Sequence, residues 1–210
     1  MDGQQYLNQI SESNRPVGKT GGGGLAGILH SKFFIVGAIG IGLLVVILIV
    51  GAILGGGESK SPKSLSYNLL LHLDNDVAVI DEYQSLLKSS KLRSSSASLK
   101  GVVSETSKQL RSYLEQKYKF KDKDISKSVV EAATLEKDGL ANELFEAKIN
   151  GVLDRIFAHK MVYEISMSTA EEATLAKEAP DEALRGLLNT SYESLMNLYN
   201  EFSDFSETNN

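Results

Sequence analysis

Histidines and carboxylates are the side chains of this sequence that could hold a metal ion or transfer protons. Two histidines, His72 and His159, follow residue 57. A di-iron or di-manganese bundle requires Glu-x-x-His motifs on two helices. The residues three positions before these histidines are Leu69 and Ile156, so the sequence predicts no metal ion and no cofactor. We expect His159 to be a hydrogen-bonded core residue on an apolar stripe, and His72 to lie at the edge of such a stripe.

Other common catalytic groups are also missing. The chain has no cysteine, which excludes disulfides, thiolate zinc sites, iron–sulfur clusters and cysteine nucleophiles. No Gly-x-Ser-x-Gly elbow surrounds any of the many serines. Gly18, Lys19 and Thr20 resemble the end of a phosphate-binding loop, but Ser13 stands where that motif requires its first glycine. We therefore expect no enzymatic activity.

Amphipathic helices dominate the chain after the linker. Apolar residues recur at spacings of three and four, and no segment alternates with a period of two over a convincing length. The predicted helices span residues 63 to 89, 94 to 120, 125 to 167 and 181 to 206. Asn150 and Gly151 are poor helix formers and predict a bend in the third helix. The fold class is therefore all-α, with an antiparallel up-down bundle of about four long helices.

Two further helix starts are predicted after the third predicted helix. Ser168 or Thr169, followed by Glu171 and Glu172, has the composition of an N-cap with acids in the first turn. Pro180, followed by two acidic residues, repeats that signal.

A long apolar segment precedes these helices. Residues 33 to 54 contain 18 apolar residues and four glycines, and 22 residues at 1.5 Å per residue span about 33 Å. The segment predicts a transmembrane helix, preceded by a flexible leader (1 to 32) and followed by a linker (55 to 62). The bundle occupies 63 to 206, and 207 to 210 form a disordered tail. Cleavage after Leu54 is an alternative to a retained anchor.

Basic residues around the span set its expected direction. Arg15, Lys19 and Lys32 precede it, whereas Lys60 and Lys63 follow it. The positive-inside rule then predicts a single-pass protein of the cell membrane with a cytoplasmic N-terminus and the bundle outside. The opposite orientation would place the bundle in the cytoplasm.

Small residues in the span and directly after it favour close helix packing. Gly51 and Gly55 are four residues apart, as are Ala38 and Gly42. Such spacing lets two helix backbones approach, which favours homo-oligomers or pairing with another membrane helix. Alternatively, these residues reflect the ordinary composition of membrane helices.

Charge is unevenly distributed along the bundle. Residues 88 to 127 carry 11 Lys or Arg against four acids, whereas residues 128 to 210 carry six against 16. The basic face either pairs within the molecule or contacts an anionic lipid or polymer. It lacks interleaved aromatic residues, so nucleic acid is not an expected partner.

The last predicted helix has an end rich in aromatic residues. Core packing is the default interpretation, and a groove for a partner protein is the alternative. The candidate groove residues are Tyr192, Met196, Tyr199 and Phe202.

Three short segments between residues 83 and 120 resemble segments of other proteins. Between residues 83 and 120 stand Leu-Leu-Lys-Ser-Ser-Lys-Leu-Arg, Ser-Ala-Ser-Leu-Lys-Gly-Val-Val and Leu-Glu-Gln-Lys-Tyr-Lys-Phe. These segments, together with a membrane anchor that precedes the helical domain, resemble small single-pass membrane proteins of uncharacterised function from ultrasmall, reduced-genome bacteria. The resemblance implies a bacterial envelope setting.

Two functions fit these features. The first is a structural or adaptor protein that holds a helical module at the cell envelope, with membrane lipid and envelope or membrane proteins as partners. The second is an extracytoplasmic ligand-sensing bundle, which would need a separate cytoplasmic partner because the leader is too short for a transmitter domain.

Overall fold

The computed structural model describes the backbone of residues 61 to 208 and the side chains of residues 61 to 205. This part of the chain is all-α and has no strand, which confirms the all-α part of the predicted fold class. No helix within 61 to 208 is both long and apolar enough to cross a membrane. The predicted leader, span and most of the linker lie outside the described residues, as does the end of the predicted tail.

Five long helices form the described chain, where the sequence predicted about four. We number them α1 to α5, and single turns of 3-10 helix follow α1 (Gln84–Leu86) and α2 (Asp122–Asp124). The long helices are α1 (Pro62–Tyr83), α2 (Ser90–Tyr118), α3 (Lys127–Ile149), α4 (Leu153–Glu178) and α5 (Glu182–Thr208).

Serine caps begin the first two helices. The Ser61 hydroxyl accepts a hydrogen bond from the backbone N–H of Ser64 at 3.2 Å, with Pro62 in the first turn of α1. The Ser89 hydroxyl accepts from the N–H of Leu92 at 3.2 Å. Each bond satisfies a backbone donor that the helix leaves unpaired. Helix α2 therefore starts several residues earlier than the apolar pattern predicted.

The bend predicted at Asn150 and Gly151 is a complete break between α3 and α4. Gly151 adopts a φ of 73°, a left-handed conformation that favours glycine. The N–H of Val152 then donates to the carbonyl of Ala147 at 2.9 Å, which closes the end of α3. This reversal turns the predicted third helix into an antiparallel pair.

The helix start predicted at Ser168 or Thr169 is wrong. Both residues lie inside α4 and are buried. The Thr169 hydroxyl donates to the carbonyl of Ile165 at 2.8 Å, a bond made within a helix rather than at its start. Glu171 and Glu172 consequently do not belong to a first helical turn. The helix start predicted at Pro180 is correct, because α5 begins at Glu182.

Side-chain contacts show that the helices alternate in direction. Ser95 donates to Glu201 and Thr106 donates to Ser191, so α2 and α5 run antiparallel. Phe157 lies against Phe202, with 6.4 Å between ring centroids, while Glu172 further along α4 pairs with Ser191, nearer the start of α5. Helices α1, α2, α5 and α4 therefore form an up-down four-helix arrangement around a shared core.

Helix α3 lies outside these four helices, across α1 and α4. Asn75 donates to the carbonyl of Ala133 and Tyr83 donates to that of Ala141, each at 2.8 Å. In these two hydrogen bonds, the higher residue number on α1 is paired with the higher residue number on α3, so α3 runs parallel to α1. Only Leu144 and Ala147 of α3 are fully buried, which makes α3 the most peripheral of the five helices.

Cations of the basic helix α2 pair within the molecule. Lys100 pairs with Asp81, and Arg111 pairs with Asp74 at 2.9 Å. Lys117 reaches Asp181, just before α5, at 3.1 Å. These pairs support the intramolecular interpretation of the charge asymmetry for part of the basic face.

Candidate functional site

A cavity of about 630 Å³ lies between α1, α3 and α4. Its apolar wall includes Leu71, Val129, Leu140 and Met167. Carboxylates lie on the same lining, contributed by Glu136, Glu143, Glu164 and Glu171, together with His72 and Lys160. The volume is in the range of small-molecule sites, which are mostly apolar with a few convergent polar groups. The excess of carboxylates makes this cavity suited to cations.

His72 is the centre of the polar side of this cavity. Its Nε2 lies 3.1 Å from Oε2 of Glu164, and its Nδ1 lies 3.1 Å from Oε2 of Glu171. Glu164 and Glu171 are seven residues apart on α4, about two helical turns, and so share one face. Asp76, one turn after His72 on α1, places Oδ2 at 3.9 Å from Nε2. We refer to these four residues as the His72 cluster.

The carboxylates control the protonation of His72. Burial lowers the pKa of the imidazole, but the charges of Asp76 and Glu171 and the hydrogen bonds to Glu164 and Glu171 outweigh this effect. The pKa of His72 is therefore raised well above 6.5. With both nitrogens protonated, each N–H donates to one glutamate, which links α1 to α4.

Asp76 is the most deeply placed acid of the His72 cluster. Its pKa is raised to about 7, chiefly by burial and also by the charges of Glu164 and Glu171. The charge of His72 and a 3.5 Å hydrogen bond from Ser168 oppose this rise. The carboxyl of Asp76 consequently titrates near neutral pH.

A second buried acid lies on the next face of α4. Glu172 is 0% exposed, and its Oε1 accepts a 2.6 Å hydrogen bond from Ser191, which itself accepts one from Thr106 at 2.8 Å. Burial raises the pKa of Glu172 to about 8, and the charge of Glu171 adds to this effect. The other oxygen, Oε2, has no hydrogen-bond partner among the described residues. A neutral carboxyl therefore joins α4 to α5 and α2.

Apolar side chains are exposed on the outer face of α3. Leu135, Phe145 and Ile149 are 73%, 52% and 68% exposed. Phe145 and Ile149 are one turn apart, and Leu135 precedes Ile149 by 14 residues, just under four turns, so they lie on one side of the helix. Leu135 and Tyr163 of α4 both line the cavity. Helix α3 is thus apolar on both its inner and outer faces.

The residues predicted for a partner groove on α5 do not form one exposed face. Phe202 is fully buried against Phe157, so core packing is the correct interpretation for it. Tyr192, Met196 and Tyr199 are half-buried. The predicted packing residues of the span lie outside the described residues: Ala38, Gly42, Gly51 and Gly55.

Of the two histidines, only His159 differs from its predicted position. His159 is exposed rather than buried in the core, so that prediction is wrong. His72 is half-buried and contacts two glutamates that the sequence analysis assigned to other roles or left out. The available signal was the four-residue spacing of His72 and Asp76, which puts an imidazole and a carboxylate on one helical face.

No protein-family model matches this chain, and the comparisons with curated proteins and solved structures likewise find no match.

Proposed function

We propose that this chain is a membrane-anchored helical-bundle protein with a structural or adaptor role, and that it binds another protein through the outer face of α3. The observation that carries this proposal is the position of its exposed apolar side chains. Of the six large exposed hydrophobic residues among those described, four lie on α3: Val130, Leu135, Phe145 and Ile149. A fifth, Tyr163, lies on the adjacent helix.

Apolar residues on two faces of a helix are typical of a helix that is covered on two sides. The inner face of α3 packs on α1 and α4, whereas nothing in the described chain covers the outer face. A concentration of large aliphatic and aromatic side chains on one surface is typical of protein–protein contacts. This supports contact with an envelope or membrane protein.

Substitution of the outer face of α3 tests the proposal. We expect the combined change Leu135→Ser, Phe145→Ser and Ile149→Ser to abolish partner recovery in a crosslinking survey of whole cells. The matched control is Lys108→Ser with Glu115→Ser, two exposed positions of α2, which should recover the same proteins as wild type. Helix content by circular dichroism should stay near the wild-type value in both. Equal recovery by the two variants would contradict an adaptor role for this face.

The proposal also includes the anchor and its direction. The apolar segment 33 to 54 supports a single membrane span, and three basic residues before it against two after it support a cytoplasmic N-terminus. The Gly51 and Gly55 pair supports homo-oligomers through that span.

Protease accessibility tests the direction. We expect protease added to intact cells, after removal of any outer barrier, to digest the module of residues 58 to 210 and leave a cytoplasmic control protein intact. Digestion only after lysis would place the module in the cytoplasm and overturn the proposed orientation.

Ligand sensing is the second candidate, favoured by the cavity between α1, α3 and α4. Its volume and its apolar wall suit a small molecule that carries a cationic group. A ligand there would act on the positions of three helices, and a separate cytoplasmic protein would have to receive that shift. Thermal-shift screening with amines and other metabolites separates the two candidates, because an adaptor requires no small ligand.

A further inference from the structure

The His72 cluster has the side-chain types and spacing of a metal centre, although the sequence predicted none. We propose that His72, Asp76 and Glu164 bind one divalent transition-metal ion at the polar side of the cavity. This inference is independent of the adaptor role, because the ligands lie on α1 and α4, whereas the proposed partner surface lies on α3.

The distances between the three ligand atoms support this proposal. Nε2 of His72 lies 3.1 Å from Oε2 of Glu164 and 3.9 Å from Oδ2 of Asp76. All three atoms lie within 4.8 Å of one another. Ligands about 2.1 Å from a metal are about 3.0 Å apart at adjacent octahedral positions and about 3.4 Å apart in a tetrahedron. Small side-chain rotations therefore bring the three atoms into coordination range.

A carboxylate already orients the imidazole. Oε2 of Glu171 lies 3.1 Å from Nδ1 of His72, so Nδ1–H donates to it. When Nε2 loses its proton, its lone pair points toward Oε2 of Glu164, and Oδ2 of Asp76 lies 3.9 Å from the same nitrogen. This carboxylate–histidine pairing is the arrangement that supports histidine ligands in metal sites. Ser168 similarly donates to Asp76 at 3.5 Å and helps to fix the second carboxylate.

The negative charge of the His72 cluster and its access to the cavity also favour a bound divalent ion. Among the described side chains, residues 61 to 205, no Lys or Arg forms an ion pair with Asp76, Glu164 or Glu171, and His72 is their only cationic contact. Three acids around one imidazolium leave negative charge that a divalent ion would neutralise. His72, Glu164 and Glu171 line the cavity, which gives the ion an access route and room for water ligands.

The ligand types select the class of metal. One imidazole nitrogen with carboxylate oxygens suits Zn²⁺, Mn²⁺ and Co²⁺, whereas Mg²⁺ and Ca²⁺ prefer oxygen ligands alone. We therefore expect Zn²⁺ and Mn²⁺ to bind and Mg²⁺ to bind at least about tenfold more weakly.

Calorimetric titration of the full chain in detergent, after removal of metals by a chelator, tests the site. We expect one Zn²⁺ or Mn²⁺ per chain. Replacement His72→Gln should weaken binding at least about 100-fold, and Glu171→Gln about tenfold to 100-fold, through loss of the group that orients the histidine. The matched controls are His159→Gln, an exposed histidine, and Glu178→Gln, an exposed carboxylate of α4 outside the cavity lining. Both should bind like wild type.

Two outcomes would overturn the proposal: no binding of Zn²⁺ or Mn²⁺ by the wild-type chain, or equal binding by His72→Gln and His159→Gln. A second measurement remains decisive even where a variant fails to fold. Co²⁺ bound to wild type should give visible absorption bands that Zn²⁺ abolishes. Wild type without such bands would also count against the site.

Discussion

Replacing Phe157 with alanine should lower the free energy of unfolding of the helical module by about 3 to 5 kcal/mol. Phe157 is fully buried on α4 and packs against Phe202 of α5. Its removal loses apolar burial and leaves a cavity that the surrounding helices fill only in part. Because small domains are stable by only about 5 to 15 kcal/mol, this change should shift the denaturation midpoint strongly.

The same substitution at Phe145 is the matched control. Phe145 is 52% exposed on α3, so Phe145→Ala should change the free energy of unfolding by less than about 1 kcal/mol. Urea denaturation followed by circular dichroism measures both variants. Equal losses at the two positions would contradict the placement of Phe157 in the shared core.

Raising the pH should destabilise the wild-type module relative to Glu172→Gln. The pKa of Glu172 is about 8 in the folded chain and about 4.3 in an unfolded chain. Between these values the folded state keeps a proton that the unfolded state has lost, so unfolding releases a proton and stability falls as pH rises. The contribution is present in full below the unfolded pKa and is lost as pH rises through about 8.

The size of this effect follows from the pKa difference, at about 1.4 kcal/mol for each unit. We expect the stability of wild type to fall by a few kcal/mol relative to Glu172→Gln between about pH 5 and about pH 9. Asp76 also titrates in this window, but both proteins contain it, so the difference reports Glu172 together with its charge coupling to His72. The control Glu178→Gln, at an exposed position of α4, should follow wild type. Parallel curves for wild type and Glu172→Gln would show that this carboxyl is ionised in the folded chain.

Helices were predictable from the sequence because their apolar stripes are local patterns. The last helix was predicted at 181 to 206 and is found at Glu182–Thr208. Asn150 and Gly151 marked the correct position of the break, but their low helix propensity does not distinguish a bend from a reversal. That outcome depends on the positive φ of Gly151 and on the packing of α3 across α1 and α4.

The candidate site was not predictable, because its chemistry is assembled from distant segments. His72 meets Glu164 and Glu171, which follow it by 92 and 99 residues. The segment from Ser168 to Glu172 has the composition of a helix start, yet it serves as a polar face in the middle of α4. Local composition cannot separate these two uses, since the same side chains cap helices and build buried hydrogen-bond networks.

The peripheral position of α3 has a consequence for how the molecule opens. This helix contributes Leu144 and Ala147 to the buried core, its N-cap Ser126 makes no side-chain capping bond, and the other four helices keep a shared core without it. Regions with few buried apolar contacts separate from a protein at a lower free energy than global unfolding. We therefore expect the amide hydrogens of α3 to exchange with solvent before those of α1 and α4. Each such opening would expose Glu164 and Glu171, on the α4 side of the cavity, to water while the rest of the bundle remains folded.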